Sequence, residues 1–209
     1  MTEPTGSSLQ LADALQWRYA TKQFDPLRTI SAADWNQLQQ ALLFSPSSYG
    51  LQPWKFIVVT SPALKQQLPA VCWGQNQPRD CSHFVVLAAR RSVDAAFVQQ
   101  YLQRIADIRS VPVSTLDGLG AAILGKTSRM GDQQLAWTAR QCYIALGFLL
   151  QAAAHPGEHQ AAAHRSPLLL PQQLAPQGQQ HAVFAGGAAP LAKDHRPVGV
   201  LTPAAAALH

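Results

Sequence analysis

The chain has 209 residues, 47% apolar and 13% charged, with a formal net charge of +5 at pH 7. Its length suits one domain, and its apolar share is enough to build a core, which excludes a disordered chain. Lys and Arg stand singly, with Arg90-Arg91 the longest basic run, so the charge invites anionic ligands and gives no stripe for nucleic acid.

Leu9, Ala12, Leu15 and Tyr19 have helical spacing behind Ser7 and Ser8, which can cap a first helix. Ser31 with Asp34 resembles a capping box, and Trp35, Leu38 and Leu42 then share one face until Pro46 ends the helix. Lys55 to Thr60 predicts a short buried strand, and Pro62 to Ala70 a short helix opened by proline. Phe84 to Ala89 predicts a second buried strand, and Val93 to Ile108 a helix. Gln134 to Ala154 predicts a long helix with Leu135, Thr138, Cys142, Ala145 and Leu149 on one stripe. Both strand runs are apolar on two faces, which calls for a sheet covered by helices, an α+β fold.

Cys72, Cys81 and Cys142 are an odd number in a chain too large to need staples, so free thiols and a reducing compartment are expected. The first eight residues show no basic or apolar leader segment. The longest nearly apolar stretch, Tyr143 to Ala154, contains Gln151 and is too short to span a bilayer. A soluble, cytoplasmic protein with no membrane partner is the expectation.

The composition changes near residue 154. All five Trp and all four Tyr precede it, whereas the 55 residues of 155–209 hold six of the seven His, seven of the fifteen Pro and one aromatic, Phe184. Leu168-Leu169-Leu170 and the run Val198 to Leu201 are cut off by Pro171, Pro197 and Pro203, and little regular structure is expected to survive such punctuation. The chain thus divides into 1–154, a folded domain, and 155–209, a low-complexity Ala/Pro/His/Gln-rich tail. Two readings of the tail stay open, a flexible segment and a stretch translated out of frame.

Three patterns compete for the chemistry. Gly120 to Thr127 spells the phosphate-loop string G-x-x-x-x-G-K-T, but its middle residues are apolar and helical in character, and no buried strand feeds it. His155-Pro-Gly-Glu158-His159 spells an inverted zincin string, but Pro156 and Gly157 break the helix that such a site needs. No metal is therefore expected. The third pattern is four segments in order. Arg18-Tyr19-Ala20-Thr21-Lys22-Gln23-Phe24 sets two cations four residues apart, able to converge on one anion. Ser45-Pro46-Ser47-Ser48-Tyr49-Gly50-Leu51-Gln52-Pro53-Trp54 is a loop of amides and hydroxyls ending on an aromatic. Asn76 to His83 leads into the second strand, and Gln141-Cys142-Tyr143 to Gly147 lies on the long helix. Each alone reads as a surface cation pair or an ordinary turn.

Together the four segments resemble the FMN-dependent nitroreductase family, in particular its NAD(P)H-dependent oxidoreductases, from about Leu9 to Ala154. The resemblance implies a mixed sheet covered by helices and a homodimer with FMN at its interface. It implies that Arg18 binds the FMN phosphate and that Lys22 lies against the pyrimidine end of the flavin, where it steadies charge on the reduced ring. It implies that Pro46, Ser47 and Ser48 reach the flavin of the other subunit, and that Asn76 approaches the ring, with Gln141 as a further candidate. Tyr19 and Ala20 belong to the same phosphate segment, where the family often has a Ser, so Ala20 lacks a hydroxyl contact. The implied reaction passes two electrons from NAD(P)H through FMN to a nitroaromatic or quinone, a small-molecule acceptor, with no catalytic side chain. The rivals are a P-loop nucleotide-binding protein using Gly120 to Thr127 and an inactive flavoprotein relic.

The tail departs from the resemblance. His155-Pro-Gly-Glu158 stands where the family has Leu-Gly-Ile, and no Pro-x-Glu-Gly loop follows. Lys193-Asp-His-Arg196-Pro197 matches a late Lys-x-Arg-Pro only with one extra residue. Because the tail has the length an intact member needs, a shifted reading frame is the favoured account.

Overall fold

Helix α1, Ala32–Leu43, begins where the sequence predicts. Ser31 Oγ accepts from the Asp34 N–H (3.1 Å) and donates to the Asp34 carboxylate (2.7 Å), which satisfies an amide that no helical carbonyl can reach. The structure is a computed structural model that describes residues 15, 16, 18 and 20–154, and the backbone of 168–169 and 198–201. Of the first expected helix, Leu15 and Gln16 are described and helical.

Strands β1, Trp54–Val59, and β2, His83–Ala89, pair antiparallel, with Phe56 opposite Leu87 and Val58 opposite Val85. Between them lie three short helices, α2 (Pro62–Lys65), α3 (Leu68–Val71) and α4 (Gln77–Asp80). The single helix expected over Pro62 to Ala70 is thus two. Pro69 has no N–H to bond the Lys65 carbonyl, so the helix cannot run through it. After β2 come α5 (Ala95–Arg109), capped by Asp94 through the Phe97 N–H, α6 (Asp117–Ser128) and α7 (Gln134–Ala154).

Two pieces beyond Ala154 join the sheet. Strand β3, Leu168–Leu169, lies parallel to β2, and β4, Val198–Leu201, lies antiparallel to β1, giving the order β3-β2-β1-β4 in a mixed sheet. The expectation that the prolines would suppress structure in these two runs is corrected. A four-residue edge strand fits between Pro197 and Pro203, because a proline just outside such a strand costs no ladder bond. The rest of 155–209, and the composition argument about it, lie outside the described residues.

Both sheet faces are covered. On one, α1 and α7 pack Leu38, Leu42, Cys142, Ala145, Leu146 and Leu149 onto Trp54, Phe56, Val85 and Leu87. Leu42, Phe56 and Leu149 are fully buried, each worth about 1.5–3 kcal/mol relative to exposure. On the other, Phe24, Cys72 and Cys81 close over Val59 and Phe84, with Leu64 and Leu68 at the margin. Beside these, α5 and α6 enclose Leu51, Val98, Leu102 and Ile123. The strands are less uniformly buried than their apolar runs predict: Lys55 is exposed, and Ile57 and Val86 are half-buried.

Candidate functional site

The turn between α1 and β1 carries three of the expected site residues and is tied at almost every position. Ser45 Oγ donates to the Ala41 carbonyl (2.7 Å), and Ser47 Oγ accepts from the Gln52 N–H (2.8 Å). The Gln52 side chain donates back to the Leu43 carbonyl (2.9 Å), capping the end of α1. The Ser48 N–H donates to Gln141 Oε1 on α7 (2.9 Å), and the Tyr101 phenol on α5 donates to the Tyr49 carbonyl. Tyr49, Gly50 and Gln52 all have positive φ (60°, 67° and 47°), a conformation that side-chain-bearing residues disfavour. Such backbone persists only where surrounding contacts hold it. Pro46 is exposed, and Ser47 and Ser48 are half-buried.

Arg18 and Lys22 behave oppositely. Both are exposed, as is Ala20, and among the described residues neither cation has an ion-pair or hydrogen-bond partner. Their segment is fastened further on, by buried Phe24 and by the Ile30 N–H, which donates to Ser82 Oγ (2.9 Å). Tyr19 lies outside the described residues.

Asn76 is exposed at the entry to α4, just after Trp73 and Gly74, both with positive φ. Gln141 is 6% exposed and fully engaged, with Oε1 on Ser48 and Nε2 donating to the Trp137 carbonyl (3.2 Å). It supports the serine turn from below and does not offer its amide outward. Burial pushes the neighbouring Cys142 thiol up to about 12, so it stays protonated and inert. Sequence reasoning missed Tyr101 and the capping role of Gln52. Tyr101 meets the turn across 52 residues and donates to a backbone carbonyl, a contact that leaves no local pattern.

The competing strings take on other roles. Gly120 to Thr127 lies inside the continuous helix α6. Gly120 is packed so closely that a Cβ there would sit 2.8 Å from Leu102, and Thr127 Oγ1 donates to the Ile123 carbonyl (3.0 Å). Amides bonded within a helix cannot cradle phosphates, which removes the P-loop rival. The string His155 to His159 lies outside the described residues. Among the described residues no cluster of three or more His, Cys, Asp or Glu could hold a metal, and no helix is long and apolar enough to cross a membrane.

The model of the nitroreductase family matches residues 15–158. The Bacillus subtilis protein named "Putative NAD(P)H nitroreductase YfkO" is 35% identical over 160 residues, covering 71% of this chain and 71% of that protein. A similarly named protein of Staphylococcus aureus strain USA300 is 35% identical over 149 residues, covering 69% of this chain and 67% of its own. Among solved structures, Bacillus subtilis ydfN, also described as a putative nitroreductase, superposes with a TM-score of 0.59 at 17% identity, covering 69% of this chain and 70% of that one. An Exiguobacterium sibiricum protein of the same description, solved in complex with FMN, superposes with a TM-score of 0.58 at 20% identity, covering 72% and 73%. At these identities the structural likeness speaks for the fold.

Proposed function

The chain belongs to the nitroreductase family, and from that premise we propose that it is an FMN-dependent oxidoreductase carrying two electrons from NAD(P)H to a nitroaromatic or quinone. The observation that carries this reading is the contrast at the site. A turn of hydroxyls and amides is held in an unfavourable shape, while a separate segment carries two cations that have no partner among the described residues. Such cations, four residues apart and free of carboxylates, fit a ligand with a phosphate at one end and an electron-rich ring at the other.

When bound, FMN supplies the redox chemistry, and the protein supplies binding, orientation and electrostatics. In this proposal Arg18 holds the phosphate. Lys22 stands by the pyrimidine end of the ring and favours negative charge there. Ser47, Ser48 and Pro46 line the ring from the partner subunit, and Asn76 approaches it. NAD(P)H and the acceptor occupy the same place in turn, which makes the kinetics ping-pong. Gln141 acts through Ser48, and no side chain acts as acid or base. Exposed Ile144 and Phe148, four residues apart on α7, support a homodimer, since large apolar side chains on one helix face call for a cover. Free, buried Cys72 and Cys142 support the cytoplasm as its compartment. The segment 155–209 is proposed as a frame-shifted replacement for the family's own C-terminal part, supported by the family match ending at residue 158.

The test is a flavin titration of the purified chain followed by a redox titration. The wild type binds FMN and oxidises NAD(P)H with a quinone present. Lys22→Met lowers the flavin's reduction potential, because a cation beside the ring stabilises the reduced anion more than the neutral oxidised form. A chain that binds no FMN sinks the reading. One that binds it without turnover is the relic, and an unshifted potential removes Lys22 from the ring.

A further inference from the structure

Resting on the flavoenzyme reading above, we propose that Tyr101 is a positioning residue that latches the turn at residues 47–50 in the shape flavin binding requires. Tyr101 stands half-buried on α5, and its O–H donates to the Tyr49 carbonyl across 52 residues of sequence. That carbonyl sits between two residues of left-handed backbone, Tyr49 at φ 60° and Gly50 at φ 67°. A tyrosine takes that conformation only when something outside the turn holds it.

Gly50 gives a second observation. A Cβ built there would lie 3.1 Å from the Tyr101 hydroxyl, tighter than ordinary contact. The hydroxyl therefore fills the space beside the turn as well as bonding to it. From the other side, Gln141 on α7 accepts the Ser48 N–H. Two helices thus grip the peptides 47–48 and 49–50 with opposite polarity, α7 accepting an N–H and α5 donating to a C=O. Residues 47–49 cannot rotate without breaking one of these bonds. Since Ser47 and Ser48 are the turn's candidate flavin contacts, the latch fixes where their hydroxyls and amides face. Without the phenol O–H, Tyr49 relaxes toward right-handed backbone and carries Ser48 with it, while the ring of Tyr101 still packs.

The experiment uses the full chain as wild type, Tyr101→Phe, Gly50→Ala and the double variant. Three readings are taken: FMN affinity by quenching of flavin fluorescence, hydrogen exchange at residues 49–52 in flavin-free protein, and melting temperature. Tyr101→Phe weakens FMN binding roughly three- to tenfold, the loss of one hydrogen bond, and speeds exchange at residues 50–52 at an unchanged melting temperature. The double variant loses less affinity than the two single losses together, because removing the hydroxyl opens the space that the Cβ added by Gly50→Ala needs. A wild type that binds no FMN fails the flavin reading, while the exchange measurement still decides the latch. Equal affinity and equal exchange in Tyr101→Phe overturn the latch, as do additive losses in the double variant. A melting temperature that falls along with affinity also overturns it, by showing packing support instead.

Discussion

The serine turn and the cation segment are built in opposite ways. Residues 45–52 are bonded to α1, α5, α7 and each other, and the polypeptide keeps three residues with positive φ there. Arg18 and Lys22 are exposed, with no partner among the described residues, and the described fastenings of their segment lie beyond them, at Phe24 and Ile30. The difference follows from what each can contribute. A neutral turn presents directional hydroxyls and amides, which are useful only if the backbone is fixed beforehand, so the fold meets that ordering cost. A cation acts through charge over longer range, and pairing it inside the protein would cancel the charge a ligand needs.

If the turn inherits its rigidity from the helices beneath it, damage to their packing is the largest effect to expect. Leu42→Ala opens a cavity between α1, α7 and the sheet at a fully buried position. It destabilises the chain by about 2–5 kcal/mol in a denaturant titration. An effect below about 1 kcal/mol, the range of a surface change, would mean that α1 and α7 do not share a core.

The cation segment predicts the reverse pattern. Arg18→Ala leaves the denaturation midpoint unchanged, because Arg18 has no ion-pair or hydrogen-bond partner among the described residues. It weakens FMN binding on the order of ten- to a hundredfold, the loss of a charge-assisted bond to phosphate. Unchanged flavin affinity would remove Arg18 from the site. A fall in stability would remove the contrast itself.

How much of this was legible in the sequence depends on whether each feature is local. Helix α7 starts and stops at the residues its apolar stripe marks, and α1 begins behind Ser31, because period and cap are written within a few neighbours. The break between α2 and α3 was legible in Pro69, though the apolar spacing conceals it. Arg18, Lys22, Ser47 and Ser48 became candidates only through the family resemblance of four segments together, since each segment alone reads as a surface cation pair or an ordinary turn. Gln141 could be picked out but not its task, which depends on a contact 93 residues away. Tyr101 and the left-handed Tyr49 and Trp73 left no sign, because backbone held by distant partners has no signature of its own.

The fastening at Ile30 supplies a smaller test. Ser82 Oγ accepts the Ile30 N–H and lies 2.9 Å from His83 Nδ1, to which it donates when the imidazole is neutral with Nδ1 unprotonated. Trp35 stacks on that ring at 4.1 Å. Burial, and secondarily the Lys65 ammonium, holds the His83 pKa below the ordinary histidine value. The folded state therefore binds fewer protons here than the unfolded one. This contribution to stability is complete above the ordinary histidine range and is lost as pH falls through and below it. Melting temperatures taken from about pH 8 to about pH 5 decline for this reason, and the decline is shallower in His83→Phe, which keeps an aromatic ring against Trp35. Parallel declines in both proteins would mean that His83 is not the group responsible.

The smallest expected effect is none, at Lys126, and it bears on whether charge alone marks this site. Lys126 is a cation in the string Gly120 to Thr127 and, unlike Arg18 and Lys22, it stands within a helix. It occupies the last turn of α6, where a positive charge complements the carbonyl end of the helix, and the amides before it are spent on helical bonds. Nothing near it is held in an unfavourable shape awaiting a ligand: Gly125 has open space around its Cα, and Thr127 turns its hydroxyl back onto α6. Lys126→Ala therefore leaves flavin affinity and NAD(P)H oxidation unchanged, and costs stability at most about 0.5 kcal/mol from the lost helix-end charge. Flavin titration and NAD(P)H consumption measured side by side in Lys126→Ala and Arg18→Ala make the comparison direct. A loss of flavin affinity in the first as large as in the second would show that any cation on this fold's surface serves, and that the unpaired, non-helical placement of Arg18 carries no meaning.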